Sequence, residues 1–171
     1  MSAIRPATPV GLIIATAEGQ FLAHYSSNGL AGLRLPRDGA KRGAENSAET
    51  SGQVQRWHRL TAVAIAEILA GRAPEELPPL DLSRGTKFQQ SVWAALRRIK
   101  LGVTQSYGEI AAAIGNPKAV RAVGGACGAN PIPLLVPCHR VLAANQKIGG
   151  FSGGLAWKRR LLAMENVRVT Q

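Results

Sequence analysis

The sequence predicts a mixed α/β (α+β) protein: a small three-stranded antiparallel sheet carrying one helix, followed by a mainly helical part that contains a helix-turn-helix. Three observations carry that reading. Three short apolar runs rich in strand-forming residues come first, at residues 12–16, 20–26 and 30–35. From Val54 onward, apolar residues recur at helical spacing instead. Between the two halves, residues 72–83 hold Pro74, Pro78 and Pro79, the composition of a linker. For 171 residues this places one unit at 1–80 and a second at 84–168.

Each element has its own local reason. Ala17-Glu18-Gly19 separates the first two runs and Ser27-Asn28-Gly29 the next two; Asn-Gly is a hairpin signal because both residues accept a positive φ. Residues 36–53 are rich in Gly, Ala, Ser, Glu and Lys/Arg without an apolar period, which predicts a surface loop. Val54, Trp57, Leu60/Thr61, Ala64/Ile65 and Ile68 mark one helical stripe, and Gly71 fits its stop. A helix laid on one face of a small sheet buries that sheet's apolar side. In the second half, residues 86–100 place Phe88, Val92, Trp93, Leu96 and Ile99 on one stripe. Ser106-Tyr-Gly-Glu109 is a capping box opening a short helix over 107–114, ended by Gly115. Asn116-Pro117 predicts an N-cap with proline at the first helical position, so a second helix runs over 117–127 after a three-residue turn. Ala119, Val120, Val123, Ala126 and Cys127 form its apolar face; Arg121, Gly124, Gly125 and Gly128 lie opposite. Each glycine costs a helix roughly 1 kcal/mol. Either the backbone here must come very close to something outside the protein, or the helix crosses a neighbour at a crowded point.

Composition narrows the function classes. Apolar residues make up 46% and charged residues 18%, which excludes wholesale disorder. No apolar run approaches the roughly 18 residues of a transmembrane helix. Two cysteines and three histidines are too few for a disulfide framework or a convincing structural zinc site. Residues 10–17 loosely resemble a signal-peptide core, but Pro6 and Pro9 crowd them and their β-branched content suits a strand. A cytoplasmic protein with both thiols reduced is expected. Residues 1–83 carry eight Lys/Arg and eight Asp/Glu, whereas 84–171 carry thirteen Lys/Arg against Glu109 and Glu165, so the whole net charge of +11 lies in the second half. Such a surface suits nucleic acid; a plain solvated basic face is the alternative.

The segment that can carry chemistry is Asn130-Pro-Ile-Pro-Leu-Leu-Val-Pro-Cys-His-Arg-Val141. Three prolines fix its backbone, and a thiol, Cys138, sits beside His139 and Arg140. An unperturbed thiol is only about 3% thiolate at pH 7, and lowering its pKa by about two units raises that to roughly three quarters. A neighbouring base or cation can do this. In an extended segment adjacent side chains point to opposite faces, so Cys138 and His139 can couple only across a turn or through a water. The bland alternative is a buried cysteine followed by a surface His-Arg pair.

Pro137-Cys-His-Arg-Val141 resembles the active-site signature of the O6-alkylguanine-DNA alkyltransferases (methylated-DNA–protein-cysteine methyltransferases). The resemblance continues through Phe88-Gln89-x-x-Val92-Trp93, Ser106–Ala111, Gly115–Gly125, Asn130–Pro133, Phe151-Ser152-Gly-Gly-Leu-x-x-Lys158 and Leu161-Leu162-x-x-Glu165, covering residues 85–166 in order. The first half resembles, more weakly, that family's RNase H-like sheet domain, and the second its winged-helix-like domain. The resemblance implies stoichiometric repair without a cofactor or metal. Double-stranded DNA is held through its minor groove with little sequence preference by a protein monomeric in solution, with cooperative binding on DNA. The alkylated base, O6-alkylguanine or O4-alkylthymine, is flipped out and its alkyl group moves irreversibly to the protein's own cysteine. On matching positions, Cys138 is the acceptor, His139 acts on it through a water, Glu165 orients the imidazole, and Tyr107 assists flipping. Arg121 fills the vacated stack, with Gly124, Gly125 and Cys127 beside the DNA. Ser152 donates towards the guanine O6, the carbonyls of Cys138 and Val141 take the exocyclic amine, Pro133 lines the pocket and Asn130 braces the turn.

Some positions depart from the family pattern. Cys127 stands where relatives often carry a methionine or another residue; it is either a second thiol close to the DNA or, the simpler reading, a small buried apolar residue. Phe151 stands where some relatives have tyrosine, and the cysteine-free first half cannot build the zinc site some of them carry. His24, His58, Trp93 and Trp157 read as structural, while Lys158-Arg159-Arg160 is either a solvated face or a phosphate contact. Three other functions would each ask for a different sequence. A lesion-sensing relative that flips without repairing would lack Cys138. A sequence-specific transcription factor would want base-reading side chains where residues 124–128 offer glycines. A cysteine hydrolase would need an oxyanion hole that the sequence does not display.

Overall fold

The computed structural model describes residues 10–37 and 50–170. Most of the loop expected at 36–53 therefore lies outside the described residues. Strands β1 (Val10–Thr16), β2 (Gly19–Ser26) and β3 (Gly29–Arg34) form an antiparallel meander in the order β1-β2-β3. Thr16 pairs with Gly19 and Ser26 with Gly29, so both turns have two-residue loops. The second loop is Ser27-Asn28, and only Gly29 of the Asn-Gly pair takes a positive φ (141°). Gly29 has a second reason to be glycine, because a Cβ there would collide with the Pro79 carbonyl.

Helix α1 (Gly52–Leu69) is capped by Ser51, whose hydroxyl accepts from Val54 N at 3.3 Å. It buries Trp57, Thr61, Ala64, Ile65 and Ile68, the predicted stripe, against the sheet. Its polar side chains there are satisfied: Tyr25 donates to Thr61 at 3.0 Å, and Thr61 donates to Trp57 O at 2.8 Å.

The proline-rich stretch after α1 is docked. Leu30 N donates to Pro79 O at 2.8 Å and Asp81 N to Leu30 O at 2.7 Å, extending the open edge of β3. On the same edge, Leu33 N donates to Pro131 O at 2.8 Å. The sheet thus grips the start of the segment that carries Cys138. One continuous cluster of buried side chains runs from Phe21 and Tyr25 through Ile65, Trp93, Leu96, Ile110 and Val123 to Leu161.

Helix α2 (Lys87–Leu96) opens on a capping box, Thr86 with Gln89, which escaped the sequence reading although T-x-x-Q is its signal. It ends four residues earlier than expected, and Ile99 is buried from the following turn. Strand β4 (Gln105–Ser106) pairs in parallel with β5 (Val141–Leu142). Helix α3 (Tyr107–Ala113) has the predicted capping box, with Ser106 N donating to Glu109 at 2.6 Å and Glu109 N to Ser106 at 3.2 Å.

Helix α4 (Val120–Gly128) corrects the expected helix-turn-helix. Asn116 is not its N-cap. The Asn116 carbonyl accepts Ala119 N at 2.9 Å, closing a separate turn over 116–119, so the connection spans six residues rather than three. Val120, expected on the apolar face, is 42% exposed because the helix begins there, clear of its neighbours. Helix α5 (Leu155–Met164) completes the chain's regular structure, with Lys158, Leu161 and Leu162 buried.

Candidate active site

The chain reverses at Cys138 because its prolines leave little choice. Pro137 precedes a 3₁₀ turn, Cys138–Arg140, in which Val141 N donates to Cys138 O. The segment is therefore turned rather than extended. Upstream, Leu134 is held at φ 74°, an unfavourable value for a leucine, in a buried position.

Two opposed environments flank this turn. On one side, Asn130 ties it together: its Nδ2 donates to Val136 O at 2.7 Å and to Cys138 Sγ at 3.1 Å, while its Oδ1 accepts Ile132 N at 3.0 Å. On the other side, His139 Nε2 donates to Glu165 Oε1 at 2.8 Å. Arg140 Nε donates to both Glu165 oxygens, at 3.1 and 2.9 Å, and Arg140 Nη2 to Oε1 at 2.9 Å. Arg140 Nη1 reaches Ile99 O at 2.6 Å, and Gly102 N donates to Glu165 Oε2 at 3.1 Å. The surface His-Arg pair is excluded, since His139 is 0% and Arg140 8% exposed.

These contacts fix protonation states. Burial pushes the Glu165 carboxyl up, but hydrogen bonds from His139 and Arg140 and the Arg140 charge outweigh it and hold the group at about 2. Glu165 caps the C-terminus of α5, where the helix dipole disfavours an anion, so the Arg140 and His139 contacts are what keep it charged there. Burial pushes His139 below the ordinary imidazole value, against the pull of Glu165. A neutral ring whose Nε2 donates to a carboxylate has its lone pair on Nδ1. Nδ1 is buried and has no hydrogen-bond partner among the described residues.

The lowering that a neighbouring base or cation can give a thiol does not prevail here. Burial pushes Cys138 up; the Asn130 hydrogen bond and the Lys158 charge only partly offset it. The resting group is a thiol, so its proton must leave as the reaction proceeds.

A cavity of about 140 Å³ opens at Cys138, lined among others by Tyr107, Gly124, Cys127, Phe151 and Ser152. Tyr107 is the first residue of α3, and burial holds its phenol above the ordinary value. The loop facing it approaches closely. Gly149 has φ 63°, and a Cβ there would sit 3.1 Å from the Tyr107 hydroxyl. Cys127 lies in this wall, 6% exposed and pushed up to about 12 by burial, rather than on the open face of α4.

Lys158 was undecided in the sequence and proves wholly buried. Its Nζ donates to Val141 O at 2.6 Å and Gly150 O at 3.0 Å, and burial lowers it to about 8. Both carbonyls expected to meet an exocyclic amine thus already accept one hydrogen bond, Cys138 O from Val141 N and Val141 O from Lys158, and each keeps its second lone pair. Arg159 and Arg160 are exposed, and Arg160 pairs with Glu18. Pro133 is buried and lines a neighbouring cavity rather than the one at Cys138, and Ser152 is exposed and lines both. Arg121 is exposed on the second residue of α4, beside Gly125 and Gly128. A Cβ on Gly125 or Gly128 would meet nothing, and one on Gly124 only the Tyr107 ring at 3.9 Å. The crowded-crossing explanation for these glycines therefore fails.

The remaining lone features are structural. His58 meets the Tyr25 hydroxyl at 3.1 Å, Trp93 donates to Ala126 O at 2.9 Å, and Trp157 donates to Pro36 O at 3.1 Å. His24 has a buried Nε2 with no partner among the described residues.

Comparison with known proteins places this arrangement. The DNA binding domain of 6-O-methylguanine DNA methyltransferase matches residues 87–167. The structure is similar to the crystal structure of Mycobacterium tuberculosis OGT in complex with DNA, at 38% identity over 90% of each chain with a TM-score of 0.72. The chain belongs to the O6-methylguanine-DNA methyltransferase family. A structure of the family's Methanococcus jannaschii member aligns with 94% of this chain and 96% of that one at 26% identity, TM-score 0.62. Methylated-DNA–protein-cysteine methyltransferase from Haemophilus influenzae is 55% identical over 83 residues, 48% of this chain and 46% of that protein. The Mycobacterium tuberculosis counterpart is 56% identical over 100 residues, 58% of this chain and 60% of that protein. The chain spans about half the length of the curated relatives it matches.

Proposed function

We propose that this protein repairs alkylated DNA by direct reversal. It binds duplex DNA, extrudes an O6-alkylguanine (or O4-alkylthymine) and moves the alkyl group to Cys138. The observation that carries the proposal is the turn itself: a buried thiol held by Asn130, with a neutral imidazole whose proton-accepting Nδ1 is left open by the Glu165 contact. Cys138 Sγ is held by Asn130 and His139 Nε2 by Glu165, and a water placed between Sγ and the open Nδ1 would link thiol and imidazole. As the C–S bond forms, the thiol proton passes through that water to His139, the C–O bond breaks, and the guanine leaves with a proton in place of its alkyl group. Glu165 stabilises the transient imidazolium, against the opposing charge of Arg140. A thioether is stable, and no group near Cys138 can cleave it, so each molecule reacts once.

The DNA-facing surface is α4. Unoccupied space over Gly125 and Gly128 lets backbone come close to the minor groove, and exposed Arg121 is long enough to fill the stack a flipped base leaves. Gly124, Cys127 and Tyr107 line the route into the pocket. Ser152 donates to the departing O6, Val141 O and Cys138 O receive the exocyclic amine on their free lone pairs, and Pro133 borders the substituent. The unit before residues 72–83 supports the Cys138 segment through β3, and the unit after them reacts. The protein works as a monomer in the cytoplasm, and cooperativity on DNA comes from neighbouring copies.

The test is repair of a duplex carrying one O6-methylguanine by wild-type protein and by Cys138→Ala. Wild type restores one guanine per protein molecule. The variant binds the duplex and restores none. Repair by the variant, or wild-type turnover beyond one equivalent, would reject the proposal.

A further inference from the structure

A second cavity, about 120 Å³, lies against the first and shares Ser152 with it. Asn130 and Pro133 line it together with Arg34 and Arg37, from the end of β3 and just beyond. Asn130 Nδ2 is 3.1 Å from Cys138 Sγ, so this chamber begins one hydrogen bond from the acceptor sulfur. Both arginines are exposed, and neither has an ionic or hydrogen-bonding partner among the described residues. The position is fixed from both sides. Leu33 N is bonded to Pro131 O at 2.8 Å, and Pro36 O accepts from Trp157 at 3.1 Å.

We infer that this chamber is a subsite for the alkyl group, selective for substituents that carry a carboxylate. The inference rests on the proposed repair reaction. The cavity at Cys138 must hold the base, so a substituent longer than methyl needs the adjoining space. The two guanidinium groups in its lining, without an ionic partner among the described residues, match a carboxylate in geometry and charge. For an O6-carboxymethyl group, the CH₂ carbon bonds to Sγ, its bond to O6 breaks with the electron pair going to the guanine, and the thiol proton ends on the guanine. The carboxylate is a spectator that the arginines hold while the carbon is in line. The sheet half of the chain, on this reading, sets substrate range.

The experiment compares single-turnover transfer from otherwise identical duplexes carrying O6-methylguanine, O6-carboxymethylguanine or the neutral isostere O6-carbamoylmethylguanine. Wild-type protein is set against Arg34→Gln/Arg37→Gln. The variant should lose roughly five-fold on the carboxymethyl substrate relative to methyl, the effect of one to two partly exposed ion pairs, with the carbamoylmethyl-to-methyl ratio unchanged. Equal losses on all three substrates would assign the arginines to the DNA backbone and overturn the subsite, as would no loss on any. A loss shared by the carboxymethyl and carbamoylmethyl substrates would mean size, not charge, is read, and also overturns it. Absence of transfer from O6-methylguanine by wild-type protein would instead reject the repair reaction itself.

Discussion

Replacing Glu165 with glutamine changes one atom and tests the logic of the buried network. The carboxylate is 5% exposed and accepts from His139, Arg140 and Gly102. Glutamine keeps one acceptor oxygen and aims an NH₂ at donors. Arg140, 8% exposed, then loses its ionic partner and keeps only neutral acceptors, Ile99 O and the one amide oxygen. Leaving one member of a buried ion pair uncompensated costs about 3–5 kcal/mol, a large part of the roughly 5–15 kcal/mol by which domains are stable. For a chain of this size, that is a fall in Tm of roughly 6–20 °C. Guanidinium chloride unfolding at pH 7 should show a lower midpoint at unchanged slope. The pH dependence has a fixed sign. The folded carboxyl is held at about 2, below its unfolded value of about 4.3. Its stabilisation is therefore complete above the unfolded value and is lost as pH falls through the folded one. The gap between wild type and Glu165→Gln should close between about pH 4.5 and pH 2. A loss under about 1 kcal/mol, the size of a surface ion pair, or a gap independent of pH over that window, would refute the reasoning.

Three further outcomes follow from the same geometry. Arg121→Ala should slow repair in duplexes much more than reaction with free O6-alkylguanine base; equal losses, measured by single-turnover kinetics, would remove it from the stack-filling role. Gly125→Leu should leave thermal stability unchanged or raise it by about 1 kcal/mol, since helix propensity improves and no neighbour is met. Its duplex affinity should nevertheless fall at least about ten-fold, because a side chain worth about 1.4 kcal/mol of lost contact per decade now holds the backbones apart; unaltered binding by fluorescence anisotropy would move the DNA to another surface. Duplex affinity should also drop steeply with salt as the basic half releases counterions, and a flat salt dependence would contradict the charge argument.

Much of this was legible in the sequence because it is local. The meander, the Ser106–Glu109 box and the α1 stripe are set by residues within a few positions of one another, and the structure keeps them. The errors arose where a distant contact decides. Asn116 looks like an N-cap, but its carbonyl is spent on a separate turn. The signature sets a base and a cation beside the thiol in sequence, whereas in the fold His139 and Arg140 are bonded to Glu165 and burial dominates at Cys138. Arg140 belongs to the signature yet declares no partner, because Glu165 lies 25 residues away. Lys158 was readable: it precedes Leu161, Leu162 and Glu165 by three, four and seven positions, one face of a helix. Its membership of a basic triplet hid that spacing. The second cavity was not readable, since its walls join β3 to a loop more than a hundred residues later.

The most direct measurement is intact mass spectrometry of the protein after one equivalent of duplex carrying O6-methylguanine, followed by peptide mapping. A gain of one methylene, confined to the peptide holding Cys138 and saturating at one per molecule, is the predicted result. An unchanged mass despite lesion binding, or a methylene on Cys127 instead, would contradict the assignment of Cys138 as acceptor.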